Sequence, residues 1–252
     1  MGLPIVLIHG FPFDSAMWRP LAGLLRERGH VVLTPDLPGF GDSAASAEGA
    51  TMESFAASVQ ELIARNGGRA IVGGFSMGGY VALALLREYR KSVAGLMLID
   101  TRADDDSPEA RAARLSSIEE IKKNGPAKVI ETLLGKQLGK GATAAVRQQA
   151  RQFMERQRPE TIIAAQKALA RRRNQTDLLP GIALPLLIVV GAEDAITPPS
   201  VALAMQSLAP RAMLVQVANA GHMAPMEEPG AVAAALEAFL STVPGSDGRG
   251  CE

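Results

Sequence analysis

Residues 71–80 read Ile71-Val72-Gly73-Gly74-Phe75-Ser76-Met77-Gly78-Gly79-Tyr80. The apolar run that ends at Phe75 is typical of a strand, and a helical pattern opens directly behind Ser76. Between them stands Gly-x-Ser-x-Gly, which in this context predicts a sharp strand-to-helix turn that lifts the serine hydroxyl above the sheet. A side chain at Gly74 or Gly78 would then clash with the neighbouring strand and helix. The alternative is a glycine-rich turn whose serine has no role.

Five other short apolar runs accompany this strand: Leu3–Ile8, Val31–Asp36, Gly95–Asp100, Leu184–Gly191 and Met213–Ala218. Continuous runs of this length fit strands buried on both faces of a parallel sheet. Segments with helical spacing lie between them, at Met17–Arg28, Thr51–Arg65, Gly78–Tyr89 and Pro229–Leu240. The alternation predicts an α/β fold with a mostly parallel sheet of about six strands and helices on both faces.

The stretch from 102 to 179 breaks this rhythm, because it has no strand-like run and carries 16 Lys or Arg against 10 Asp or Glu. We predict that it forms a helical cap inserted after the fourth strand, between core segments 1–101 and 180–243. Residues 244–252 are glycine-rich and polar, and we expect a flexible tail there. The positive charge of the cap fits either a solvated surface or a cover that attracts anionic substrates.

The composition argues against several classes of protein. The 252 residues contain 26 Lys or Arg and 26 Asp or Glu, so no basic surplus favours nucleic-acid binding. A single cysteine, Cys251, excludes a disulfide framework and a cysteine-rich metal site. The longest apolar stretch, Ile182 to Ala192, is far shorter than the ~20 residues that cross a bilayer. With no secretory pattern at the N-terminus, we expect a cytoplasmic protein without a membrane partner.

A serine nucleophile needs a base, and the chain has only three histidines. His222 follows the last strand run in a loop before the last helix, so it belongs to the same sheet edge as Ser76. His30 precedes the second strand, at the opposite edge, and is expected to be structural. His222 is therefore the predicted base.

The base in turn needs an acid that orients it. Asp194 follows the fifth strand run and so lies at the same edge of the sheet. The chain order Ser76, Asp194, His222 is the one expected for such a triad on this kind of sheet. Glu193 and Asp100, which ends the fourth run, remain rivals for the role of the acid.

Two backbone N–H groups are needed to stabilise the oxyanion that a serine attack produces. We assign them to Met77, directly after the nucleophile, and to Phe11, in the loop after the first strand. Pro12 has no N–H to offer, and His9 is expected to support the loop. The glycine pattern at 39–44 lacks the helix and the acidic residue of a dinucleotide site, and no zinc spacing occurs. Neither cofactor nor metal is expected.

Together these motifs resemble the α/β-hydrolase fold superfamily. The resemblance covers nearly the whole chain, and it rests on His-Gly-Phe-Pro at 9–12, Asp-Leu-Pro-Gly-Phe-Gly-Asp-Ser at 36–43, the Ser76 motif, the Asp194 loop and Gly221-His222. Gly-x-Ser-Met-Gly-Gly is similar to the branch with 3-oxoadipate enol-lactonases, cofactor-free haloperoxidases and small carboxylesterases. The resemblance implies a cap that controls substrate access. The given sequence shows no counterpart of the N-terminal hairpin usual in the superfamily, so we expect about six strands.

The site and the resemblance imply a carboxylesterase-like serine hydrolase that cleaves an ester or lactone of a small molecule through an acyl-enzyme. The same triad also fits a cofactor-free perhydrolase or haloperoxidase, or a hydrolase of carbon–carbon bonds. A rival of another class is a ligand-binding protein that has the fold without catalysis. We expect a monomer or a homodimer.

Overall fold

The computed structural model describes residues 2–246 of the chain. Residues 247–252, which make up most of the predicted tail and include Cys251, lie outside the described residues.

The core of the described chain is one six-stranded sheet. Its strands are β1 (Ile5–Ile8), β2 (Val32–Leu33), β3 (Ala70–Phe75), β4 (Val93–Ile99), β5 (Leu186–Gly191) and β6 (Met213–Val217). The spatial order is β2-β1-β3-β4-β5-β6, and every neighbouring pair is parallel. The predicted fold class is confirmed, with a sheet that is wholly rather than mostly parallel.

One strand is much shorter than the sequence indicated. The apolar run Val31–Asp36 pairs with β1 only at Val32 and Leu33. Pro35 has no N–H with which to continue the ladder. The Asp36 side chain instead accepts the N–H of Ser15 at 2.7 Å, so this part of the chain forms a loop at the carboxyl edge.

Helices cover both faces of the sheet. The core helices are α1 (Arg19–Glu27), α2 (Met52–Arg65) and α3 (Met77–Glu88), followed after the cap by α8 (Pro199–Leu208), α9 (Ala224–Glu227) and α10 (Pro229–Leu240). Because side chains alternate along a strand, Ile5 and Leu7 join the apolar cluster that contains α1 and α10. Val6 and Ile8 join the opposite cluster, with α2, α3 and α8.

Four further helices lie between β4 and β5: α4 (Pro108–Asn124), α5 (Ala127–Gln137), α6 (Ala144–Glu155) and α7 (Pro159–Ala170). Short 3₁₀ helices occur at Ser15–Trp18, Arg90–Ser92 and Thr176–Gly181. The end of α6 is fixed to the core by Asp14, a wholly buried carboxylate that pairs with Arg156 and accepts Gln157 Nε2–H. The cap is therefore attached, at the end of α6, to the loop that follows β1.

Candidate active site

The turn between β3 and α3 holds Ser76 in a strained backbone conformation. Its φ is 50° and its ψ is −113°, a region that costs a non-glycine residue about 1–3 kcal/mol. A Cβ at Gly78 would lie 2.2 Å from the carbonyl oxygen of Ile8, and one at Gly74 would lie 2.1 Å from that of Gly78. The two glycines are thus required by the close approach of β1, β3 and α3.

Hydrogen bonds to the neighbouring strand hold the serine backbone in this position. Ser76 N–H donates to the carbonyl of Ile99 at 3.0 Å. Thr101 Oγ1–H donates to the carbonyl of Ser76 at 2.7 Å. The strained turn is therefore fixed from β4, while the Ser76 side chain keeps part of its solvent exposure.

The three side chains predicted as a triad form one chain of hydrogen bonds. Ser76 Oγ lies 2.9 Å from His222 Nε2, and His222 Nδ1 lies 2.8 Å from Asp194 Oδ2. Each residue follows the carboxyl end of a strand: β3, β5 or β6. His222 and Asp194 are buried, with 1% and 3% exposure. The arrangement lets Nδ1–H donate to the carboxylate while Nε2 accepts the serine proton.

Four donors surround the Asp194 carboxylate. Besides His222, they are the N–H of Ile196 at 2.8 Å, the N–H of Thr197 at 2.9 Å and Thr197 Oγ1–H at 2.7 Å. Burial alone would raise the pKa of Asp194, but the hydrogen bond and charge of His222 together with Thr197 outweigh it and hold the pKa below its ordinary value. Asp194 therefore stays ionised beside the imidazole.

The two rival acids, Asp100 and Glu193, each accept a backbone N–H group from another segment of the chain. Asp100 is wholly buried, and its Oδ1 accepts the N–H of Gly191 at 2.7 Å. Burial, followed by the nearby charge of Asp194, raises the pKa of Asp100 well above its ordinary value. Glu193 Oε2 accepts the backbone N–H of Lys140 in the cap at 2.7 Å. Asp194 is thus the acid that the structure brings to the histidine.

The two N–H groups that we assign to the oxyanion belong to Phe11, in the loop after β1, and to Met77, directly after Ser76. Within residues 2–246, neither Phe11 N–H nor Met77 N–H donates to another residue. His9 supports the Phe11 loop: its Nδ1 lies 3.0 Å from the carbonyl oxygen of Gly10, and its Nε2 accepts the N–H of Leu37 at 3.0 Å. Burial lowers the pKa of His9, so this ring is neutral and structural.

Glu227, which the sequence reasoning missed, holds the histidine loop. One carboxylate oxygen accepts the N–H of Gly221 at 3.0 Å and of Met223 at 3.1 Å, the two neighbours of His222. The other accepts the N–H of Gly139, in the cap, at 2.8 Å. Burial raises the pKa of Glu227 in spite of these donors. The available signal was an acidic residue five positions after His222, in a short and mostly apolar segment.

Comparison with known proteins identifies the class that this fold and site define. A family model described as alpha/beta hydrolase fold matches residues 4–229, and the chain belongs to this family. Among solved structures, a thermophilic esterase from Thermogutta terrifontis is 39% identical, with a TM-score of 0.91 over 96% of this chain and 90% of the other. An enol-lactonase from Burkholderia xenovorans, at 23% identity and a TM-score of 0.83 over 96% of this chain and 92% of that one, shares the fold.

A curated relative adds an ester-cleaving protein to this set. The pimeloyl-[acyl-carrier protein] methyl ester esterase of Edwardsiella ictaluri is 27% identical over 97% of this chain and 93% of its own length. Within residues 2–246, no cluster of His, Cys, Asp and Glu has an arrangement that could hold a metal ion. In the same part of the chain, the helices are too short or too polar to span a membrane.

Proposed function

We propose that the protein is a serine hydrolase that cleaves a carboxylic ester or lactone of a small molecule. The observation that carries this proposal is the unbroken relay from Ser76 Oγ through both nitrogens of His222 to Asp194, at 2.9 and 2.8 Å. The esterases among the similar proteins support the same class of reaction. Fold alone would not, because one fold hosts many activities.

The geometry supports a two-step acyl transfer. Ser76 Oγ attacks the carbonyl carbon while His222 Nε2 takes the hydroxyl proton. The negative charge moves to the carbonyl oxygen, which the N–H groups of Phe11 and Met77 stabilise. The proton then passes from Nε2 to the leaving alcohol oxygen, and an acyl-enzyme remains on Ser76. In the second step a water gives its proton to Nε2 and attacks the ester carbon. The bond between that carbon and Ser76 Oγ then breaks, Nε2 returns the proton to Oγ, and the acid is released.

Asp194 acts through the imidazole. It holds the tautomer with the proton on Nδ1 and stabilises the imidazolium that forms in both steps. Because donors from Thr197 and His222 keep its pKa low, Asp194 is charged at neutral pH without binding a proton itself.

Hydrolysis of p-nitrophenyl esters from acetate to decanoate tests the proposal, with wild type beside Ser76→Ala and Asp194→Asn. We expect turnover to vanish in S76A and to fall by about 10⁴ in kcat for D194N, which leaves the histidine in the wrong tautomer. A fluorophosphonate probe serves as a second readout. Turnover that survives in S76A would refute the serine mechanism. A wild type that is neither active nor labelled would favour the ligand-binding alternative.

A further inference from the structure

Gln137 is a buried polar residue of the cap that lies against the candidate site. It is the last residue of α5 and is only 3% exposed. The next residues lie on the histidine loop: a Cβ at Gly221 would come within 2.2 Å of Gly139 N. Gln137 itself reaches the carbonyl of Phe11 on the other side. Gln137 therefore contacts the loop that carries Phe11, and the residues directly after it contact the loop that carries His222.

The amide of Gln137 is poorly satisfied for a group so deeply buried. Its Nε2–H donates to the Phe11 carbonyl at 3.5 Å, the long limit for a hydrogen bond. Its Oε1 is buried and has no hydrogen-bond partner within residues 2–246. If the amide were flipped, its Oε1 would face the carbonyl oxygen of Phe11, and two acceptors cannot form a hydrogen bond. Oε1 is therefore the atom without a partner. Buried polar groups are nearly always paired, and an exception calls for an explanation.

An apolar side chain would fill this position at a lower cost in free energy, since an unpaired buried acceptor destabilises the folded state. The terminal torsion of a glutamine has a broad energy well. Because the one hydrogen bond that this amide makes within residues 2–246 is long, the group can reorient when a substrate offers a better partner. A neutral acceptor is matched by a neutral donor, and a hydroxyl group is the simplest one.

We infer that Gln137 is a specificity-determining residue whose amide oxygen accepts a hydrogen bond from a hydroxyl group of the substrate. The preferred substrates are then esters or lactones that carry a hydroxyl close to the scissile carbonyl. The inference rests on the proposed ester hydrolysis. A site built to bind a substrate hydroxyl discriminates strongly against an analogue that lacks it, because the buried group is then left unpaired.

Two matched pairs of esters test this inference: methyl 3-hydroxybutyrate with methyl butyrate, and glycerol monobutyrate with propyl butyrate. Acid release gives kcat/KM for wild type and for Gln137→Met, which keeps the volume and removes the amide. Gln60→Met is the matched control, because Gln60 Oε1 is also buried without a partner but belongs to α2. Wild type should favour the hydroxylated ester by about tenfold or more in at least one pair. Q137M should lose this preference, whereas Q60M should retain it.

Thermal unfolding separates a substrate contact from a structural role. Q137M should unfold near the wild-type temperature, because removal of the unpaired oxygen offsets the loss of the long hydrogen bond to the Phe11 carbonyl. A lower unfolding temperature with an unchanged preference would overturn the inference, since Gln137 would then hold the fold or a buried water. Turnover of plain esters by a wild type without preference in either pair would overturn the role of Gln137 alone. No turnover of any ester, with Ser76 unlabelled by a fluorophosphonate, would overturn the proposed function as well.

Discussion

The carboxylate of Glu227 joins the histidine loop to the cap, and two substitutions separate these contacts. Glu227→Ala removes all three hydrogen bonds, those from Gly221, Met223 and Gly139. Glu227→Gln keeps one oxygen, which can still accept from Gly221 and Met223. Its NH₂ group then faces the N–H of Gly139, and two donors cannot form a hydrogen bond. E227Q thus breaks the contact with the cap and leaves the contact with the histidine loop in place.

The expected losses in the free energy of unfolding follow from the number of N–H groups that lose their acceptor. A buried donor left unpaired costs about 1–3 kcal/mol, and the partial exposure of Glu227 lets water recover some of that. E227A should therefore lower the free energy of unfolding by about 2–4 kcal/mol, and E227Q by about 1 kcal/mol. His222 stands between the two N–H groups that E227A frees, and a misplacement of ~1 Å can cost ~10²-fold in rate.

Steady-state hydrolysis of p-nitrophenyl butyrate and urea unfolding measure both effects. We expect kcat to fall by about 10–100-fold in E227A and by less than about threefold in E227Q, with KM nearly constant in both. Equal losses of kcat in the two variants would refute the division of roles between the carboxylate oxygens. An E227A enzyme with wild-type kcat would refute the claim that Glu227 positions the histidine.

Three further substitutions test other contacts of the site. Asp100 has a raised pKa in the folded state, so the stability that its proton confers is present below its unfolded pKa of about 3.9 and is lost as pH rises through the folded value. The free energy of unfolding of Asp100→Asn should therefore exceed that of wild type at pH 8, and by less at pH 4. An equal difference between variant and wild type at the two pH values would contradict this. Arg156→Ala leaves the buried Asp14 without its cation and should cost about 2 kcal/mol in urea unfolding, less than for a fully buried pair because Arg156 is partly exposed; an unchanged midpoint would speak against the pairing. Thr197→Val removes a donor that lowers the pKa of Asp194, so an NMR titration of the Asp194 carboxyl group should show protonation at a higher pH than in wild type; protonation at a lower pH, or at the same pH, would show that this hydroxyl does not stabilise the carboxylate.

The sequence predicted those features that depend on a local pattern. The apolar runs predicted the six strands, and helical spacing predicted a helix over Thr51–Arg65, where the structure has α2 with Thr51 as its N-cap. Ser76 and His222 could be selected, and Asp194 favoured over its rivals, because each stands just behind a strand of a parallel sheet, whose carboxyl ends share one edge. Local sequence therefore sufficed to predict the fold class and the candidate triad.

Contacts between distant loops were not accessible in the same way. Glu227 bonds to Gly139, 88 residues away, and Gln137 reaches Phe11 across 126 residues. No spacing rule relates such positions, because their proximity depends on how the cap packs against the core. The choice between Asp194 and Asp100 likewise required coordinates, since both follow strands at the same edge.

Covalent labelling of Ser76 tests the central claim most directly. The tryptic peptide from Ala70 to Arg87 has Ser76 as its only serine, so mass spectrometry assigns the site without ambiguity. We predict that a fluorophosphonate adds one group to this peptide in wild type, that S76A stays unmodified, and that His222→Ala reacts far more slowly. Labelling of S76A at the same rate, or a wild type that resists the probe while folded, would contradict a serine activated by His222 and Asp194.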